Sequence, residues 1–525
     1  MLIKTLAFLF IFLYLVPFLT ALCGFFPSMR HVLFAAMLYF TSREVALNIL
    51  PMPTWRGSAR GYAFTAVSLF ALPLFLSMVF SFRYKVRWFP PGWFFYFLYY
   101  LAIILSGVNA IHMHPWGFEV WRMFWMYITF LAAFNYLNHC RNLSFFIYLV
   151  ACILIYAFIV GFDQKYRQGY FQIPSTFPHQ NSLCLYLEIF GLMILGVLMN
   201  EKMSKLLFLL CLVAFGSSTL LVVFTYSRGG LVMFFGGIAV VCLLSLLCNG
   251  FSMRRLTLML VGMIVMLCII GYALPRIIQR FTKAPENSKN TRVNLAIASK
   301  RMANDYRLGV GANNFSEYSG PFRNYALEQY DSVSQTFLDS ASWYGGIVET
   351  IYLLVAAECG WWGLGTLLLW FLYYYFVDLI CVLMLRKMPC SGIVIGLFGG
   401  MTCVYVHSSL EWSLKQNNNF AQLMIVYALI GVIATHRKSI KAAYLRSLPV
   451  PPKKKASALP PVPPLYPPLP PPPKPTKPAL PPLDFPEPES PAPAPRDEAE
   501  TPPEPEASPE VPPEAPTGAP STLST

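Results

Sequence analysis

Apolar runs of about 20 residues recur from the N-terminus to about Thr435, and no other feature of the chain narrows its fold so sharply. As a helix, each run is long enough to cross a hydrocarbon core of roughly 30 Å. A helix also satisfies every backbone polar group within the segment, which a bilayer demands. One such run would be an anchor; this many imply an all-α polytopic bundle. Only 12% of the residues are charged, far below the share of about 25% usual for a soluble domain. The candidate spans are roughly 6–26, 62–82, 92–112, 118–138, 143–162, 181–199, 205–225, 229–248, 255–274, 348–385, 391–409 and 417–435. In the tenth, a bent or re-entrant first half up to Glu358 is expected before a spanning part that begins at Trp361. The first run is longer than a signal-peptide core and lacks a small-residue cleavage pattern, so it reads as a membrane helix.

Short basic loops set the orientation. Phe82 to Arg87, Arg141, Glu201 to Lys205, Met253 to Arg255, Arg386 with Lys387, and His436 to Lys441 fall on one side of these spans, taken as cytoplasmic. The stretch His31 to Leu50 is expected to lie along the outer interface, because a span there would put Arg43 and Glu44 at mid-bilayer, where charge is costly. That arrangement gives about twelve transmembrane helices and two cytoplasmic termini. A thirteenth span would put the N-terminus outside.

Residues 1–440 thus form the membrane domain. Within it, the segment 275–347 is too long to be a mere connector and is expected to be a large periplasmic loop that carries function. Residues 449–525 hold 30 of the 44 prolines and cannot bury a core; they read as a disordered, polyproline-rich cytoplasmic tail able to dock a cytoplasmic partner. The tail carries six Lys/Arg against ten Asp/Glu, so the membrane domain is more basic than the whole chain's +14. A basic body suits anionic headgroups or an anionic substrate rather than nucleic acid. The twelve cysteines are scattered, mostly within apolar runs, and read as packing residues.

Polar residues gather at span ends away from the basic loops. "TFPHQNSLCLYLE" (Thr176 to Glu188) enters a span with His179 and Asn181 at its mouth. "FTYSRGGLVMF" (Phe224 to Phe234) turns between two spans at Ser227 and Arg228, where Gly229 and Gly230 permit close backbone approach. Taken alone, Arg228 reads as an arginine snorkelling to the headgroups. In the large loop a helix bearing Arg292, Lys300 and Arg301 is expected to break at "GVGANNF", which contains Asn314. No strand precedes that "GVG", as a dinucleotide site would require. Val404 to Phe420 brings His407, Glu411 and Lys415 to the same side, and His407 alone reads as a packed polar group.

The run "VETIYLLVAAECGWWG" (Val348 to Gly363) holds two acids, Glu349 and Glu358, with Tyr352 between them. On a continuous helix, nine residues place the acids about 13.5 Å and 180° apart, so they do not form one acid–base pair. Glu349 lies at the outer mouth, where a raised carboxylate pKa fits access to substrate. Glu358 lies deeper, needs a partner, and reads as structural. The chain has no P-loop, no HExxH and no DxD-type cluster, so nucleotide-driven transport and metal-dependent sugar-nucleotide chemistry lack their usual residues, and no metal or cofactor is expected.

Four blocks in order, "TFPHQNSL", "TYSRGGLV", "RVNLAIASKRMANDYRLGVGANNF" and "VETIYLLVAAECGWWGLG", resemble the O-antigen ligase and polymerase superfamily (Wzy/WaaL type) of bacterial membrane enzymes. The likeness covers about Phe177 to Gly365. It implies a GT-C-like glycosyltransferase of the inner membrane that moves a glycan from a polyprenyl-diphosphate carrier to a hydroxyl of an acceptor glycan, lipid or protein. It also implies that Arg228 and Arg292 bind the diphosphate. Where the family pattern has His-Asn or His-Ser, this chain has Glu349 and Thr350. The general base is then Glu349, or else His179 or His407 with Glu349 positioning the sugar. His179, Asn181, Arg301, Asn314, Tyr352 and His407 are the candidates for contacting substrate. A transporter or flippase is the rival reading, and its signs would be mid-bilayer charges and two related halves with interrupted helices.

Overall fold

A computed structural model describes residues 2–82, 84–140, 143–264, 267, 271, 286–320, 325 and 346–447. The expectations for the tail 449–525, and for 275–285 and 326–345 of the large loop, lie outside the described residues.

The protein is an all-α polytopic membrane protein. Seven described helices are long and apolar enough to cross a membrane: Ile3–Phe25, Leu143–Tyr166, Gln180–Asn200, Lys205–Thr225, Arg228–Asn249, Ile351–Met384 and Asn417–Ser447. Four shorter apolar helices accompany them, Met29–Phe40, Ala66–Val79, Trp93–Asn109 and Ser391–His407. Met113–Cys140 is a further helix of 28 residues. Length and composition alone therefore leave the expected count of about twelve spans open.

Contacts sort the helix ends into two groups. At one end the basic loops meet. Arg254 donates to the Glu201 carbonyl at 2.8 Å, the Lys387 amide to Asn249, and the Gly392 amide to Glu201 at 2.7 Å. There too, His436 lies 2.8 Å from Asn138. At the other end lies a two-stranded antiparallel hairpin, Ala46–Ile49 with Tyr62–Thr65, the only strands among the described residues.

The structure corrects the expectation for the N-terminal part. Lys4 lines a cleft with Leu50 and His114, and Phe8 packs on Phe64 of the hairpin, so the first helix starts at the hairpin end. It runs to the basic end, where Phe25 shares a cleft with Phe80 and Tyr84. Met29–Phe40 then returns, with Arg30 bound to Ser77 at the basic end and the Thr41 carbonyl accepting from Gln422 at the other. Residues 31–50 are thus a return helix followed by a strand. Arg43 and Glu44 fall in the turn past the helix end, which removes the objection to a charged pair at mid-span. Consequently the first helix begins, and the last helix ends, at opposite ends of the bundle.

Gln180–Asn200 is the central helix, and its whole apolar window is buried. Ser391–His407 lies against it through a stripe of glycines, Gly392, Gly396 and Gly400. A Cβ at these positions would stand 2.6 Å from the Gly196 carbonyl oxygen, 2.5 Å from Met193 Cα and 2.7 Å from the Glu188 carbonyl oxygen, respectively. Small residues bring two membrane helices to backbone contact, because lipid offers no hydrophobic drive to do so. The close approach brings the end of that helix, at His407, beside Glu188.

Candidate active site

The loop helix Glu286–Asp305 ends at the hairpin end of the bundle, and the "GVG" that follows docks on a membrane helix. Ile351–Met384 is broken at Gly360, whose φ of 74° and ψ of 174° are not helical. The break frees two carbonyls of the preceding turn. Val310 donates to the Ala357 carbonyl at 2.9 Å, and Gly311 to that of Glu358 at 3.0 Å. A Cβ at Gly360 would stand 2.1 Å from the Arg307 carbonyl oxygen, so both the left-handed φ and the space require glycine. "GVG" and "ECG" are therefore the two halves of one backbone junction, and the first half of the membrane helix is bent off at the place expected from its sequence.

Below the junction, Glu358 is buried and paired with Lys415. Lys415 also lies 3.4 Å from Glu119, which is paired with Arg122, and Arg122 donates to the Lys415 carbonyl at 2.6 Å. All four side chains are at most 5% exposed. Burial alone would depress the Lys415 ammonium, but the two carboxylates more than offset it and hold its pKa above the ordinary lysine value. Two acids and two bases cancel, so the cluster is a closed structural tie. Asn314 is also structural: its side chain donates to the His112 and Ala312 carbonyls and accepts from the His112 amide. The Tyr352 hydroxyl donates to the Tyr405 carbonyl at 2.6 Å.

Over this base, at the hairpin end, opens a polar cavity of about 880 Å³. It draws on the hairpin and its loop 57–61, the segment 172–181, the turn at Tyr226 to Gly229, Arg292, Glu349 and the segment His407 to Asn417. Six of the sequence candidates meet on its walls: His179, Asn181, Arg228, Arg292, Glu349 and His407. Arg301, Asn314 and Tyr352 are not among the lining residues.

Arg228 is the first residue of its helix, exposed, behind an N-cap in which Ser227 accepts from the Gly230 amide at 3.2 Å. Arg292 forms an ion pair with Glu349, both partly exposed. Burial raises the Glu349 carboxyl above its ordinary value, and Arg292 opposes that rise. Burial also raises Glu411, which accepts from Asn181. His179 is exposed, and its Nδ1 accepts from the Asn181 amide at 3.2 Å as the N-cap of the central helix.

His407 is different. Its Nδ1 lies 2.7 Å from Glu188 Oε1, and the two side chains are 1% and 0% exposed. Glu188 sits in a single π turn, Leu187–Gly191, of the central helix, a feature frequent at functional sites.

Residues 211–371 match the O-antigen ligase family model. No curated protein matches the chain. The matched region contains Arg228, Arg292, Glu349 and the Gly360 junction, whereas His179, Asn181 and His407 reach the same cavity from outside it, with Glu188 behind His407. Glu188 and Arg60 were missed by sequence reasoning. Glu188 had one available signal, a carboxylate in a run that is otherwise apolar and therefore in need of a partner. Arg60, a third cation of the cavity, lies in a loop whose place above the site depends on long-range contacts: Asn313 donates to the Ala59 carbonyl at 2.8 Å and accepts from the Ala59 amide at 3.1 Å.

Proposed function

We propose that the protein transfers a glycan from a polyprenyl-diphosphate-linked donor to a hydroxyl of an acceptor glycan, lipid or protein, as an O-antigen or exopolysaccharide polymerase or ligase. By the positive-inside rule the cavity end faces the periplasm of a bacterial inner membrane, and the C-terminal tail lies in the cytoplasm. The observation that carries the reading is the meeting of Arg228 and Arg292 on one polar cavity that the O-antigen ligase domain helps to line. Planar guanidiniums bind phosphate oxygens through charge-assisted paired bonds. They also neutralise the charge that grows on the diphosphate as its bond to the sugar breaks. Attack by the acceptor oxygen from the opposite face of the sugar inverts the anomeric configuration. The two arginines supply the leaving-group stabilisation in this scheme, so it calls for neither nucleotide nor metal.

Glycan assembly in cells that carry Arg228→Ala or Arg292→Ala tests the proposal. Loss of product at normal membrane levels of protein is expected, and unchanged product from both variants would overturn it. Purified protein that moves a labelled glycolipid across vesicles unaltered would instead favour a transporter.

A further inference from the structure

A transfer of this kind needs a group to take the acceptor's proton, and three residues on the cavity walls are candidates. Glu349 is held by Arg292. His179 accepts a backbone N–H at Nδ1, so its neutral ring carries the proton on Nε2 and presents a donor to the cavity. His407 has the opposite polarity. With Glu188 ionised and the ring neutral, Nδ1–H donates to Glu188 and the lone pair is left on Nε2. That nitrogen is buried without a hydrogen-bond partner. It lies against Gly229, where a Cβ would stand only 2.8 Å away, in the turn that carries Arg228. Most buried polar atoms are bonded, and one left open at a cavity wall is placed to meet a ligand.

We propose that His407 is the catalytic base and that Glu188 is its positioning residue; this rests on the transfer reading above. A hydroxyl entering past Gly229 supplies the partner that Nε2 lacks. As its oxygen bonds to the anomeric carbon, its proton passes to Nε2. The bond from that carbon to the diphosphate oxygen breaks, and its electron pair leaves with the diphosphate, held by Arg228 and Arg292. Glu188, whose second oxygen is also without a partner, stabilises the imidazolium until the proton is lost to solvent. The base thus lies outside the O-antigen ligase domain, on a helix delivered by the glycine stripe.

The test uses the full-length protein in membranes, with lipid-linked glycan extracted from the producing cells as donor and undecaprenyl diphosphate as the binding probe. His407→Gln is expected to lower transfer by about 100-fold or more, the range of a lost general base. It should leave protection against heat by undecaprenyl diphosphate unchanged, whereas Arg228→Ala loses both. Glu188→Gln should lower kcat and move the acidic limb of the pH–rate profile to lower pH, because the ring loses the bonded one of the two carboxylates that favour its protonation, Glu411 being the other. If His407→Gln keeps transfer within a few-fold while Arg228→Ala abolishes it, the base assignment is overturned and the transfer reading stands. If the arginine variants also keep transfer, both fall. Should His407→Gln not fold, the Glu188→Gln profile decides, and an unmoved limb overturns the proposal.

Discussion

His407 and Lys415 stand at the two ends of one short segment, and each is buried against a carboxylate, yet the two clusters are finished differently. Around Lys415, two acids and two bases lie within ion-pair reach, and the charges cancel. Around His407 one acid, Glu188, is bonded to the ring and a second, Glu411, lies nearby on the cavity wall, and a ring nitrogen without a partner remains there. The first cluster balances its charge without a ligand and lies off the cavity, although Arg122 Nε is left without a partner. The second leaves a buried acceptor unsatisfied, which costs free energy unless something arrives to bond it. Burial of charge alone therefore does not mark the site; incompleteness beside a cavity does.

Breaking the closed cluster should have the largest effect. Lys415→Ala leaves Glu119 and Glu358 buried with a single cation, and loss of one partner from a buried pair costs roughly 3–5 kcal/mol. The expected result is a large fall in Tm in detergent, or failure to accumulate in the membrane, with activity lost only as folded protein is lost. On the cavity side the reverse holds. Arg228→Ala or Arg292→Ala should cost about 2–4 kcal/mol in the transition state, seen as a fall in kcat/KM of about 30- to 1000-fold. Stability should hardly change. Arg228 is a cation at a helix N-terminus, where the helix dipole disfavours it, so its removal does not weaken the helix. Gly360→Ala stands between these cases: strain at a left-handed position costs about 1–3 kcal/mol. It should lower Tm and transfer together, because the junction it disturbs anchors the segment that follows the Arg292 helix.

The chain showed in advance what depends on local pattern. Apolar run length marks the helices, the basic loops do gather at one end, and the bend near Glu358 and the break at "GVG" fall where glycines require them. That Arg228, Glu349 and His407 lie at one end of the bundle was legible because polar residues at span ends are few, whereas Arg292, in the loop helix, was singled out by the resemblance. What stayed hidden depends on distant pairing. Nothing near Lys415 announces Glu119, and nothing near His407 announces Glu188, which is 219 residues away. The N-terminal fold was misjudged for a related reason. A 12-residue helix is about 18 Å long, too short to stand out as a span, and it is placed by contacts to Ser77 and Gln422 that no local window contains.

The smallest expected effect separates the two acids that share "VETIYLLVAAECGWWG". Glu358 belongs to the charge-balanced cluster, while Glu349 is partly exposed on the cavity and, in the proposed function, shares Arg292 with the diphosphate. Burial raises the Glu349 pKa, so the native protein holds this proton more tightly than the unfolded chain does, and the favourable contribution grows as pH falls. Protonation also weakens the hold of Glu349 on Arg292. Binding of undecaprenyl diphosphate should therefore tighten as pH is lowered from neutral through the raised carboxyl pKa. Glu349→Gln should bind it more tightly at neutral pH, by up to about fivefold, the scale of a partly exposed ion pair, and should lose that pH dependence. Heat-protection titrations at two pH values measure both effects. If the same variant instead abolishes transfer while binding is kept, Glu349 takes the acceptor's proton after all, and the unpartnered nitrogen of His407 would need another explanation.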